Sequence, residues 1–160
     1  MFIGSVWGGA FDLVMSGDMV YAAETSIFAM TPANLGVADD IVGVHNIIRD
    51  SSLHVIQEML FTTRPISARR ACSTGMLNFA APAEEREAAV METVGSIARK
   101  APLSIALIKE ELRVLNEAKP LTPDEFERLQ GMRRGVAVLD DAKEGIAAFY
   151  AQRKPVFSGR

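Results

Sequence analysis

Gly8-Gly9 stands between a strand end and a helical pattern over residues 9–16, so the chain has two residues in which to turn from strand to helix. A helix that begins this way points its first free N–H groups outward. Those amides and the helix dipole together attract negative charge, and two glycines let a ligand approach the backbone closely. The same pair also permits a tight turn and nothing more, and from the dipeptide alone that simpler reading is preferred. Strand-like runs at 19–23 and 27–30 then make the first part of the chain α/β.

Beyond Asp39 the signals are helical. Ile41, Val44 and Ile48 recur at three-to-four spacing, and helices are expected over 55–62 and over 68–74, the latter ended by Gly75. Only 76–80 suggests another strand. Val90, Val94 and Ile97 share one face of a helix over 84–99, and Ile105, Ile108, Leu112 and Leu115 share one over 103–115, so both faces are expected to pack. Thr122-Pro123-Asp124-Glu125 supplies an N-cap, a first-turn proline and a capping-box glutamate for a helix through Phe126, Leu129 and Val136. A last helix carries Ile146, Phe149 and Tyr150 towards Pro155.

Composition excludes several classes. A chain of 160 residues, 49% hydrophobic and 23% charged, is ordinary globular protein. Its net charge of -3, with basic residues scattered, offers no stripe for a phosphate backbone, so nucleic acid is not expected as a partner. The single cysteine, Cys72, cannot form an intrachain disulfide, and two histidines, His45 and His54, make no metal-ligand cluster. A reducing cytoplasm without a structural metal is expected. The apolar first thirty residues lack a basic leader and are interrupted by Asp12 and Asp18, which favours buried core over a signal or membrane segment. Met15, Met19 and Met30 read as core filler. Met1-Phe2-Ile3 resembles the tail of a buried strand with nothing before it, and a missing beginning is expected.

The run Gly4-Ser5-Val6-Trp7-Gly8-Gly9-Ala10-Phe11-Asp12-Leu13-Val14-Met15-Ser16-Gly17-Asp18 closely resembles the signature of the crotonase (enoyl-CoA hydratase/isomerase) superfamily. The likeness continues through Met30-Thr31-Pro32 to Val37, residues 43–50, 101–115 and 124–134, and Arg153-Lys154-Pro155. It corresponds to the C-terminal three-fifths of a family member. It implies an incomplete crotonase-like α/β fold (the ClpP/crotonase class): residues 1–82 as the C-terminal part of the ββα spiral core, and residues 83–160 as a helical region for oligomerisation and for covering CoA. A homo-oligomer, a trimer or a dimer of trimers, is implied with it.

The resemblance also implies a chemistry. Family enzymes hold the oxygen of an acyl-CoA thioester between two backbone N–H groups, so that an enolate is stabilised. Gly9 matches one donor, and the other falls outside this chain. Preorganised donors of this kind are worth on the order of 3 kcal/mol each. No separate cofactor is implied, because coenzyme A enters as part of the substrate. The likeness is strongest to the decarboxylating members, which implies conversion of methylmalonyl-CoA to propionyl-CoA. The two glutamates of a hydratase fall on Asp12 and on Pro32, and Pro32 has no proton to give. Thr31 would donate to the substrate carboxylate; a strand-end threonine bonded to its own backbone is the alternative. Asp39 replaces a tyrosine of the decarboxylases, and if ionised it would repel that carboxylate.

Residues 36–40 also resemble the glycine-to-aspartate loop of dienoyl-CoA isomerases, in which Asp40 would move a proton. Helix capping by Asp39 or Asp40 is the commoner role, and for Asp12 a charge that complements the helix dipole is as natural as catalysis. Trp7 and Gly8 would line the acyl pocket, with a core aromatic the commoner fate for Trp7. Lys154 would pair with CoA phosphates across a subunit boundary, although charged tails are usually solvated. An inactive crotonase fragment is the reading of another class.

Overall fold

A computed structural model describes residues 4–116 and 122–159. Met1-Phe2-Ile3, expected as a strand tail, lies outside the described residues. Strand β1 (Ser5–Trp7) leads through Gly8 into helix α1 (Gly9–Met15), and the short strands β2 (Tyr21–Ala23) and β3 (Ile27–Ala29) follow. β1 lies parallel to β3, which pairs on its other side with an antiparallel two-residue strand, β4 (Ile66–Ser67). β2 pairs in parallel with β5 (Phe79–Ala81) in a second small sheet.

The apolar faces of these pieces meet in one core. Phe11 of α1 packs edge to face on Phe28 of β3, ring centroids 6.1 Å apart, and Met30, Ile47, Ile56 and Met59 close round them. The last three come from α2 (Ile41–Ile47) and α3 (Leu53–Thr62). Helix α4 (Ala68–Ser73) adds Ala68 and Ala71. Met15 and Met30 are core residues as expected. Met19 is not: it is 42% exposed, because the turn at residues 16–19 carries it out before β2 begins.

A helical series completes the chain: α5 (Arg86–Ala98), α6 (Pro102–Asn116), α7 (Pro123–Val136) and α8 (Asp140–Tyr150). The capping box at α7 forms as its residues dictate, Glu125 N–H donating to Thr122 Oγ1 and Thr122 N–H to the Glu125 carboxylate. The expectation that the α5 and α6 stripes pack is only partly met. α5 lies on β2 and β5, yet Val94 and Ile97 stay more than two-fifths exposed, and Leu103, Leu107, Ile108, Leu112 and Leu115 of α6 are exposed along the helix. Among the described residues none covers those five side chains more than partly. No helix among the described residues is long and apolar enough to cross a membrane.

Candidate active site

Gly8 is the pivot of the strand-to-helix turn. Its φ of 53° and ψ of -129° belong to a region that favours glycine, and its N–H donates to Ala29 O at 3.0 Å, tying the turn to the end of β3. α1 starts at the next residue. Gly9 and Ala10 are exposed, and their N–H groups meet no acceptor among the described residues, as the first amides of a helix do not.

Two residues past Ala29 comes Thr31. It is the N-cap of a 3-10 turn, Pro32–Leu35, and proline suits the first position of such a turn because no N–H is required there. The Thr31 carbonyl accepts from Asn34 N–H at 3.0 Å, while its hydroxyl makes no capping bond. The expected alternative, a threonine bonded to its own backbone, is therefore not what the hydroxyl does. Trp7, at the end of β1, is 45% exposed beside the turn and does not enter the core.

Three carboxylates gather behind the turn. Asp12 lies in the first turn of α1, half-buried, with Oδ1 shielded from solvent and bonded to nothing among the described residues. Burial raises its pKa, and the charge of Asp40 adds to the rise. Asp39 is half-buried too. Its pKa is pushed up to about 6, first by burial and then by Asp12, with Arg133 opposing. Asp40 goes the other way. It caps α2 through Val42 N–H at 2.9 Å and accepts from Gln130 Nε2 at 3.0 Å, and these two bonds, the Gln130 bond first, hold its carboxyl below the ordinary range. A pair of titratable groups pushed apart in this way keeps Asp40 ionised while Asp39 retains its proton into mildly acidic solution.

The loop that carries Asp39 is gripped by α7 and α8. Gly36, at φ 67°, turns so close to Asp141 O of α8 that a Cβ would overlap it, and Gly145 lies equally close to the Leu35 backbone. Arg133 of α7 donates from Nε to Ala38 O at 3.3 Å and pairs with Asp40 at 3.2 Å. Local sequence patterns do not disclose Gln130 and Arg133, whose partners lie 90 or more residues away; their one signal is the three-residue spacing that sets them on one face of α7. Lys154 is exposed in the tail beyond α8, next to Arg153, which is bonded to Glu144 at 2.6 Å. The structure thus ties Gly8, next to Gly9, to Ala29, two residues before Thr31 and Pro32, and sets Asp12 close enough to Asp39 and Asp40 for their charges to act on one another.

Residues 1–160 match the family model described as enoyl-CoA hydratase/isomerase. The chain is 52% identical over 159 residues to methylmalonyl-CoA decarboxylase of Escherichia coli (strain K12), covering 99% of this chain and 61% of that protein. It superposes on the crystal structure of a methylmalonyl-CoA decarboxylase with a TM-score of 0.91 at 52% identity, over 100% of this chain and 62% of the other. A methylmalonyl-CoA decarboxylase complexed with 2S-carboxypropyl-CoA gives a TM-score of 0.90 at the same identity, over 98% of this chain and 60% of the other. The chain therefore spans about three-fifths of the length of these relatives. The architecture is a partial crotonase domain, and the chain belongs to the enoyl-CoA hydratase/isomerase family.

Proposed function

We propose that this chain is the C-terminal part of an acyl-CoA enzyme that stabilises a thioester enolate, and that its reaction is decarboxylation of methylmalonyl-CoA to propionyl-CoA. The observation that carries the reading is the Gly9 N–H, without an acceptor among the described residues at an exposed helix start that follows β1, with the Thr31 hydroxyl likewise unbonded just past the end of the paired strand β3. The similarity to decarboxylases over nearly the whole chain supports it.

In the proposed reaction Gly9 N–H donates to the thioester oxygen, and Thr31 holds the substrate carboxylate out of the thioester plane. The bond between the α-carbon and the carboxylate breaks, its electron pair passes into the thioester as an enolate, and CO2 leaves. Protonation at the α-carbon gives propionyl-CoA. The thioester is itself the electron sink, so the protein supplies positioning and electrostatics. Trp7, Gly8 and Pro32 would line the acyl pocket, and Lys154 would face CoA phosphates. A second copy of the chain would cover the bare stripe on α6, in keeping with a trimer or a dimer of trimers.

A second reading, an enoyl- or dienoyl-CoA isomerase, uses the same amide and a carboxylate that carries a proton between carbons. The raised pKa values of Asp12 and Asp39 favour it, whereas Asp40 is fully engaged in bonds to α2 and α7.

The test is turnover of methylmalonyl-CoA and of a dienoyl-CoA by the chain joined to the two-fifths of a relative that it does not span. CO2 release from the first is expected, with a loss of about a hundredfold in Gly9→Pro, which lacks the N–H. Isomerisation of the second without CO2 from the first would establish the isomerase, and turnover of neither would leave a non-catalytic fragment.

A further inference from the structure

The carboxyl of Asp39 makes no hydrogen bond to any described residue, so no bond of its own fixes it and the backbone on either side of it has a large part in where it points. That backbone is held from far away in the sequence. Arg133 Nε donates to the carbonyl of Ala38, the residue before Asp39, at 3.3 Å, and Arg133 Nη1 lies 3.2 Å from Oδ2 of Asp40, the residue after it. Gln130, one turn earlier on α7, donates to the same Asp40 oxygen at 3.0 Å. A guanidinium is a planar fork with donors at fixed spacing, and it can hold two acceptors at a set separation; an ammonium is a point charge and cannot. The side chain of Arg133 is 43% exposed, so part of its role is packing by its stem, which Arg133→Lys largely preserves.

We propose that Arg133 is a positioning residue of the acyl pocket: by bridging the Ala38 carbonyl and the Asp40 carboxylate it fixes the Asp39 carboxyl beside Asp12, one turn along α1 from Gly9. The pocket role rests on the function proposed above, whereas the bridge does not. The groups facing Asp39 are Asp12 from α1 and Arg133 from α7, with Asp40 beside it in the chain. Arg133 therefore acts on Asp39 in two separable ways, by charge and by geometry.

Two variants separate them. In the chain labelled with 13C and 15N, Arg133→Gln removes both charge and fork, and Arg133→Lys keeps the charge alone. The Asp39 carboxyl midpoint is expected to move upward from about 6 in the Gln variant, because the opposing cation is gone. The amide resonances of residues 38–40 are expected to shift in both variants, since both lose the fork. Should the Gln variant fail to fold by circular dichroism, the Lys variant decides alone. Amides at 38–40 that match the parent in Arg133→Lys would overturn the proposal, as would an unmoved Asp39 midpoint in a folded Arg133→Gln. In the chain joined to the part of a decarboxylase that it does not span, both variants should lose about tenfold in kcat with KM changed less than about twofold. If Gly9→Pro leaves turnover intact, the proposed function fails while the resonance result stands.

Discussion

The carboxylate of Asp12 occupies the space that a side chain at position 43 would need: a Cβ on Gly43 would lie 2.6 Å from each Asp12 carboxylate oxygen. This contact brings α1 and α2 together at the point where Asp12, Asp39 and Asp40 meet, and it makes position 43 a handle on their charges.

Gly43→Ala is expected to displace Asp12 without unfolding the chain. What must give is the end of a side chain, and alanine in a helix interior recovers about 1 kcal/mol relative to glycine. With Asp12 moved away, Asp39 loses the like charge that helps to raise it, so its carboxyl midpoint should fall below about 6. Carbon-detected titration of the Asp39 carboxyl reads the change. A midpoint that stays put would mean that burial alone holds Asp39 up.

Gly145→Ala should behave differently, since the Leu35 backbone stands in the way and backbone cannot swing aside. Overpacking of this kind costs up to about 3 kcal/mol, against roughly 1 kcal/mol gained in helix propensity. A net loss of about 2 kcal/mol is expected from urea midpoints, with α8 lifting from the 3-10 turn.

Stability should respond to pH through Asp39 with a definite sign. Its folded pKa of about 6 lies above the ordinary 3.8, so the folded chain binds more protons than the unfolded one between those values. Its contribution is favourable below about pH 4 and is lost as pH rises through 6. Asp39→Asn should therefore melt higher than the parent at pH 7.5, with the gap closing towards pH 4. Glu144 works in reverse. The Arg153 guanidinium and the Val156 N–H lower its pKa from 4.5 to about 2, so that contribution is present above 4.5 and fades in strong acid. Melts of Asp39→Asn and Glu144→Gln across pH 2–8 distinguish the groups, and equal melting of Asp39→Asn and parent at pH 7.5 would refute the assignment.

Asp39→Tyr should raise decarboxylation by about tenfold at pH 8, where an ionised Asp39 would repel the substrate carboxylate, and by much less at pH 5. The measurement is CO2 release against pH in the chain joined to the part of a methylmalonyl-CoA decarboxylase that it does not span. A gain that does not vary with pH would point to the tyrosine hydroxyl itself and away from removal of a charge.

Where a structural device is local, the residues disclosed it. The Thr122 to Glu125 box, the Asp40 cap on α2 and the Gly8-Gly9 turn each complete their hydrogen bonds, or leave them open, within a few residues, and each could be read off the chain. The 3-10 turn after Thr31 was not legible as such, because proline at its first position also fits a plain strand end. Nor was β4: two residues carry no periodicity, and Ile66–Ser67 becomes a strand only by lying against β3. The grip of Arg133 on Ala38 and Asp40 and the meeting of Gly145 with Leu35 join positions some 90 to 110 residues apart, which no local pattern records. Family likeness named Gly9, Thr31 and Asp39 as candidates; the protonation of Asp39 is a property of its neighbours in space.

The bond from Gly8 N–H to Ala29 O has a consequence for how such a chain can change. It sets the amide of the turn by main-chain atoms alone, so that substitutions at Thr31, Pro32 or Asp39 leave the anchor where it is. A side chain at any of those positions can therefore be exchanged without moving the start of α1, because what fixes it is the peptide of Gly8 and the carbonyl of Ala29.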